Sequence, residues 1–359
     1  MIRVAGCDPG TSSLDILAID ENQAVAQVRI EPDELRADPT LPVQWLRENG
    51  PFDVIAGPSG YGLPLVRAAD CTDAQLELMS LVRPDERAGA PVPSLRGTGE
   101  ASPSGAHGVG GFSAMVRALR DSGLPVVFLP GVIHLPTVPV HRKLNKIDMG
   151  TADKLCVAAL ALAQHDSDEP AAVIEFGSAF TAIMILKDRQ IVDGSGGTSG
   201  MIGARSGGAW DGEAAYLLSP LTKADLFRGG VADAPDRDIG KAAFREAFTK
   251  TVFGMLNVHG IQDIYYGGNL LRTDSDLVQQ ALGELPTSFF RLHYAGDLPG
   301  AWVKHAAQGA AIIANGLAGG AFAKVVDWLK LRDVSGTALD WLTHPRAAEV
   351  RGWFGERPA

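Results

Sequence analysis

Apolar residues recur along the chain with two periods. Short unbroken or alternating runs bounded by turn residues predict strands, and three-to-four spacing predicts helices. Val4 to Cys7 is a short apolar run, DPGTSS a turn and LDILAID a second run, with AVAQVRI extending the pair. Residues 2–30 therefore predict an antiparallel hairpin with a third strand. PTLPVQWLRENG and SAMVRALRDSG have helical spacing, while FDVIAGPSG and LPVVFLPGV read as strands. TADKLCVAALALAQ predicts a helix over 149–164 with Thr151 or Asp148 as N-cap, and HDSDEP then breaks the pattern. Directly afterwards, AAVIEFGSAFTAIMILKDRQIVDGSGG repeats the opening: strand, acid, glycine turn, strand, polar turn, strand. Setting Glu175 over Asp8 places one turn on the other, which predicts a duplicated α/β fold with its boundary near residue 168. The stretch Ala306–Val326 predicts one buried helix. Residues 83–111, rich in Pro, Gly and Ser, predict a long loop or insertion, either a substrate lid or a plain loop.

Composition narrows the function classes. A chain of 359 residues accommodates about two domains of roughly 150 residues. Its formal net charge of −10 gives no broad attraction to nucleic acid. Cys7, Cys71 and Cys156 have no disulfide or zinc spacing and fit a reducing compartment. With no secretory pattern at the start and no lipid-spanning run, the expectation is a cytoplasmic protein without a membrane partner.

An acid at a strand end followed by Gly, Thr and Ser can do one specific task. Backbone N–H groups and hydroxyls cradle phosphate oxygens while the carboxylate holds Mg²⁺ directly or through water. DPGTSS supplies Asp8, Gly10, Thr11, Ser12 and Ser13; the second turn supplies Glu175, Gly177 and Ser178. Asp15 has a weaker claim. Gly267 and Gly268 end the IYYGG strand, where paired glycines let a base or ribose approach the backbone, with Asn269 beside them. GSGGTSG, Gly194 to Gly200, is a secondary candidate for a phosphate nest. HRKLNKIDMGTADK gathers Arg142, Lys146, Asp148 and Asp153, cations to meet charge and acids to orient or deprotonate a nucleophile. Arg205, Asp211 and Glu213 form a further acid-and-base segment. His107, His134, His141 and His259 share no metal spacing and read as structural.

Taken in order, these motifs resemble the superfamily of acetate and sugar kinases, actin and the heat-shock chaperones. DPGTSSLD looks like its first phosphate motif, EFGSAFTAI like its second, IYYGGNLLR like its adenosine motif, and MGTADKLCVAALAL and HAAQGAAIIANG like its two connecting helices. RKLNKIDMGTADKLC and GGAWDGEAAYLL resemble the butyrate kinase family within it. Glu175 departs from the aspartate more common there. The resemblance implies two actin-like ribonuclease H-fold domains, 1–167 and 168–359, around a cleft holding ATP and Mg²⁺, with Asp8 and Glu175 toward the metal. It implies a kinase of a small-molecule acceptor, such as a short-chain carboxylate converted to an acyl phosphate, with Asp8, Arg142, Lys146, Asp148 and Asp153 as catalytic candidates. An ATP-driven condensing enzyme and a nucleotide-switched ATPase are the alternatives, and a homodimer is left open.

Overall fold

The computed structural model describes residues 2–57, 60–87, 111–165, 168–286 and 288–355. Residues 88–110 of the expected insertion, His107 among them, lie outside the described residues. The first sheet contains β1 (Arg3–Pro9), β2 (Leu14–Asp20), β3 (Gln23–Ile30), β4 (Val54–Gly57), β5 (Val66–Arg67) and β6 (Val126–Phe128). The second contains β7 (Ala171–Phe176), β8 (Thr181–Lys187), β9 (Gln190–Ser195), β10 (Asp263–Gly267) and β11 (Arg291–Tyr294). Their strand orders are β3-β2-β1-β4-β6-β5 and β11-β10-β7-β8-β9. In each, a three-strand antiparallel meander continues into two parallel neighbours, β4 and β6 in one sheet and β10 and β11 in the other. This is the mixed α/β architecture of two actin-like ribonuclease H-fold domains, and the duplication read from the hydrophobic pattern is present in five strands of each sheet, with the short antiparallel β5 as an addition to the first.

Period-two burial explains how each sheet is covered on both faces. On β1 and β2, Val4, Leu17 and Ile19 face one apolar cluster while Ala5, Cys7 and Ile16 face another. On β7, Ala171 and Val173 join the first of these clusters, whereas Ala172 and Ile174 join a third. The shared cluster is filled by helices Ala152–Gln164 and His305–Leu317, so two connecting helices lie between the sheets. Alanine and glycine dominate these helices because the space is narrow. A Cβ on Gly309 would lie 1.7 Å from the Cys156 carbonyl oxygen, and one on Gly6 would lie 2.2 Å from the Ala311 nitrogen.

The chain after residue 330 returns to the first sheet, where Leu339 and Phe354 enter its outer cluster. The apolar stretch 306–326 forms two helices rather than one, His305–Leu317 and Ala323–Trp328. Gly319 adopts φ +84°, and the Asn315 side chain accepts from the Phe322 nitrogen at 3.1 Å, closing the turn between them. No helix among the described residues is long and apolar enough to cross a membrane.

Gly309→Val should cost on the order of 3 kcal/mol or block folding, because the added methyls meet backbone that cannot yield. Urea denaturation checks this against Gly283→Ala, whose Cβ meets nothing within 4 Å and should leave stability unchanged or slightly raised.

Candidate active site

The β1–β2 hairpin carries two buried aspartates directly opposite one another, Asp8 and Asp15, with different surroundings. Asp15 is saturated. Its oxygens accept from Arg29 at 3.1 and 2.8 Å, from the Ser13 hydroxyl at 2.7 Å and from the Lys304 backbone nitrogen at 3.0 Å. Burial alone would raise its pKa, but the Arg29 hydrogen bonds and the Lys304 charge outweigh it and hold the carboxyl below its ordinary value. Asp8 has one cation, the Lys304 ammonium at 3.7 Å from Oδ2, and its buried Oδ1 has no hydrogen-bond partner. Burial pushes its pKa up to about 7, with Asp153 and Asp15 adding repulsion and Lys304 opposing. The ammonium of Lys304 also donates to the Ser13 carbonyl at 2.7 Å, and a Cβ on Gly10 would lie 2.5 Å from it. The lysine thus rests against the first turn at the place where Gly10 leaves room.

The second hairpin places Glu175 against Lys154, whose ammonium lies 3.0 Å from Glu175 and 2.6 Å from Asp153. Burial disfavours the Lys154 charge, but the two acids outweigh it and hold its pKa above the ordinary value. Burial also raises Glu175, partly offset by Lys154, while Asp153 is held down by Lys154 and the Thr151 hydroxyl despite its own burial. Burial likewise pushes the Cys7 thiol, at the cleft wall, up to about 12, which keeps it protonated.

These groups line a cleft of about 600 Å³ between the sheets. The two turns meet across it. Ser12 and Ser178 hydroxyls are 3.2 Å apart, and the Asn269 amide donates to Ser178 at 2.8 Å. Gly268 lines the cleft with φ +118°, and a Cβ there would lie 2.3 Å from the Phe176 carbonyl oxygen. A side chain at Gly268 would therefore disturb the backbone before it reached any ligand. Gly267 lies behind, under the His305 ring, where a Cβ would meet Nδ1 at 2.4 Å.

Among the described residues no cluster of three or more His, Cys, Asp or Glu side chains could hold a metal ion unaided. The donor set still fits Mg²⁺, which keeps waters and shares phosphate oxygens rather than demanding a protein cage. Asp8 Oδ1 is a buried acceptor without a donor, and Asp8, Asp15, Asp153 and Glu175 outnumber Arg29, Lys154 and Lys304 by one charge.

The family model described as "Protein of unknown function (DUF1464)" matches residues 6–344. The chain belongs to this family. No curated protein matches the sequence. Among solved structures, acetate kinase from Entamoeba histolytica is similar at 11% identity and TM-score 0.48, over 79% of this chain and 86% of that one. Acetate kinase from Porphyromonas gingivalis is similar at 12% identity and TM-score 0.49, over 79% and 87%. A ROK family glucokinase from Streptomyces griseus, in complex with glucose and AMPPNP, is similar at 13% identity and TM-score 0.43, over 87% and 99%.

In this DUF1464 chain the cluster expected from 142 to 154 is divided. Asp153 and Lys154 reach the cleft. Arg142 turns away, donating to the Val192 carbonyl at 2.7 Å and pairing with Asp193 at 3.5 Å, and Lys146 is exposed on the surface; neither lines the cleft. Asp148 lines it, but both carboxylate oxygens are occupied. Gly150 N donates at 3.1 Å to one, and the Thr198 nitrogen and hydroxyl each donate at 2.9 Å to the other. Asp148 therefore fastens the Gly194–Gly200 loop, whose Gly196 has no room for a Cβ beside it. Asp211 caps the helix Gly212–Leu218, and Arg205, Asp211 and Glu213 are exposed outside the cleft. Lys304 and His305 also reach the cleft, and their only signal in the sequence is their place at the start of the glycine-bearing helix, Lys304 as its cap and His305 as its first residue. Sequence reasoning passed over the far end of the cleft, lined by Tyr61, Glu77, Arg117 and Lys223.

Asp15→Ala should destabilise the fold by about 3 kcal/mol in urea titration, because Arg29 and the Lys304 nitrogen lose their partner. Since Asp15 has a lowered folded-state pKa, its contribution is present above the unfolded carboxyl value near 4 and fades as pH falls through the folded value. The gap between the parent and Asp15→Ala should therefore narrow in strong acid.

Proposed function

We propose that this cleft catalyses phosphoryl transfer from ATP to a small-molecule acceptor. The observation carrying this reading is the meeting of two glycine-and-hydroxyl turns through Ser12 and Ser178, above the paired ions of Lys154 and Lys304. Gly10, Thr11, Ser12, Gly177 and Ser178 would cradle the phosphates, whereas the buried Ser13, expected to join them, spends its hydroxyl on Asp15 and braces the turn. Gly268 and Asn269 would border the adenosine, with Gly267 supporting their turn from behind. Asp8 and Glu175 would hold Mg²⁺, which when bound supplies positive charge to the phosphate oxygens.

The chain's own groups account for the remaining chemistry. Lys154 and Lys304 offset charge on the transferring group, which makes little covalent demand but much electrostatic demand. Helices Ala152–Gln164 and His305–Leu317 start at the same cleft, so their positive ends favour phosphate there. With a hydroxyl acceptor, the acceptor oxygen forms a bond to the γ-phosphorus, the bond to the bridging oxygen breaks, and its electron pair leaves with ADP. The hydroxyl proton passes to Asp153, oriented by Thr151 and Lys154; because Lys154 holds this carboxyl below its ordinary value, the proton moves late, once the acceptor oxygen has bonded to phosphorus and become acidic. A short-chain carboxylate such as butyrate, the acceptor implied by the sequence resemblance, needs no proton removed at neutral pH and would form an acyl phosphate. The oriented Asp153 carboxylate favours the hydroxyl acceptor of the two.

Measuring ADP release by purified protein against a panel of carboxylic acids, sugars and polyols tests the reading. Turnover dependent on one acceptor supports it. Nucleotide turnover without any acceptor would instead indicate a switch, and a joined product released with phosphate or diphosphate would indicate a condensing enzyme. Asp8→Ala should weaken Mg-ATP binding at least tenfold by calorimetry. Asp153→Asn should lower kcat on the order of a hundredfold while ATP affinity stays near the parental value. Parental turnover by Asp153→Asn would remove it as the base.

A further inference from the structure

The far end of the cleft has a charge pattern that phosphate binding does not use. Arg87 at 3.2 Å and Arg117 share the single carboxylate of Glu77, and Arg83 faces Glu86 at 3.0 Å, so each guanidinium group already has a carboxylate partner while the three together keep one positive charge in excess of these two carboxylates. Lys223 is different. Its ammonium donates to the Tyr61 hydroxyl at 3.1 Å and lies 4.3 Å from the centre of that ring, and it has no carboxylate partner among the described residues. An ammonium has three donors, and one is used.

Its position is built rather than loose. Lys223 begins the short turn Lys223–Phe227, fixed by Thr222 donating to Asp225 and by the Lys223 nitrogen donating to Glu86 at 2.7 Å. The lining of this end mixes the apolar side chains of Met79, Phe112, Leu226 and Phe227 with the paired Glu77, Arg87 and Arg117. A partly desolvated ammonium without a carboxylate partner is costly until an anion joins it. Tyr61 also sets the distance to the reacting end, because the Ala152 nitrogen donates to the carbonyl of neighbouring Gly60 at 3.0 Å, next to Asp153 in the chain. One tyrosine side chain thus separates the ammonium from the turn that carries the proposed base.

We propose that this end of the cleft is the acceptor subsite and that it takes a small hydroxy acid, its carboxylate docked on Lys223 and its hydroxyl directed toward Asp153. The proposal deepens the kinase reading and rests on it. Cation and apolar wall together select a compact organic acid over a neutral sugar, since a neutral polyol would leave the ammonium unmatched and place hydroxyls against Phe112 and Phe227. A simple fatty acid docked this way would present no nucleophile at the other end.

Calorimetry on the full chain tests it with glycerate and 3-hydroxybutyrate against the neutral probes glycerol and 1,3-butanediol. The two acids should bind and the neutral probes should not. Lys223→Gln should weaken acid binding at least tenfold, Lys223→Arg should retain most of it, and Mg-ATP affinity should be unchanged in both. As a check independent of any variant, raising salt from about 0.05 to about 0.5 M should weaken acid binding to the parent chain. Absence of acid binding, equal binding of the neutral probes, or an unaltered Lys223→Gln would overturn the proposal. So would turnover of butyrate to an acyl phosphate, trapped as its hydroxamate, because the carboxylate would then occupy the reacting end. Failure of the kinase reading has a separate signature: Mg-ATP would not bind the parent chain, while acid binding through Lys223 would persist.

Discussion

The site depends on one close approach between helices. Gly309 and Cys156 touch one turn inside helices His305–Leu317 and Ala152–Gln164, so both helices begin at the same place. Lys304 and His305 arrive from one, Asp153 and Lys154 from the other. A larger residue at the contact would separate the axes, and the two pairs of side chains would part with them. Gly6 repeats the constraint on the other side, where β1 meets Ala311 and delivers Asp8 to the same point. Three backbone segments from distant parts of the chain are thus held together by what their contact residues lack.

That approach brings like charges together, and placement decides which can be used. Three buried acids and the half-buried Asp153 within one cluster would repel in a medium of low polarity, so each ionised carboxylate requires donors or a cation. Asp15 has a full complement and acts as the fixed floor beneath Lys304. Asp153 and Glu175 share Lys154, which couples the second hairpin to the first connecting helix. Asp8 is left under-matched, with a distant ammonium and an unpartnered oxygen. Stability alone gives no reason to bury a carboxylate in that state. A cation arriving with a polyanionic ligand does, and it would offset the burial that, with repulsion from Asp153 and Asp15, raises the Asp8 pKa.

Much of this was legible from residues near one another in sequence. The acid-glycine-hydroxyl turns at 8–13 and 175–178 are local patterns, and the meanders around them follow from period-two burial. Asp153 stood in the sequence only as one of four equal candidates, with Arg142, Lys146 and Asp148, and the fold alone brings it with Asp148 to the cleft. Arg142 was not separable from it, for composition cannot distinguish a cation that faces ligand from one that secures the Val192 carbonyl. Asp148 stands at the same limit, because its partners Thr198 and Gly196 are some fifty residues away in the chain. Tyr61 and Lys223 had no local signal at all: their pairing exists only after the two halves fold against each other. The helix predicted over 306–326 divides because Gly319 and Asn315 end it, a tertiary turn within a run whose apolar periodicity continues.

The links across the cleft are of two kinds, and the difference bears on how a ligand enters. At the base, the packed helices are buried and continuous with the shared core, and the Lys304 nitrogen meets the buried Asp15 carboxylate at its edge. Toward the opening, the halves touch through Ser12 with Ser178, Lys223 with Tyr61, and the Lys223 nitrogen with Glu86, all only partly buried. Each such bond contributes about 0.5–1.5 kcal/mol net, so releasing all three costs a few kcal/mol, whereas separating the base would expose the helices' apolar faces as well. Opening is therefore least costly as rotation about the base with the outer bonds parting. Those outer bonds belong to the hydroxyls proposed for phosphate and the ammonium proposed for the acceptor. Both ligands would replace the contacts they break, and closure over the pair restores across the cleft what entry removed.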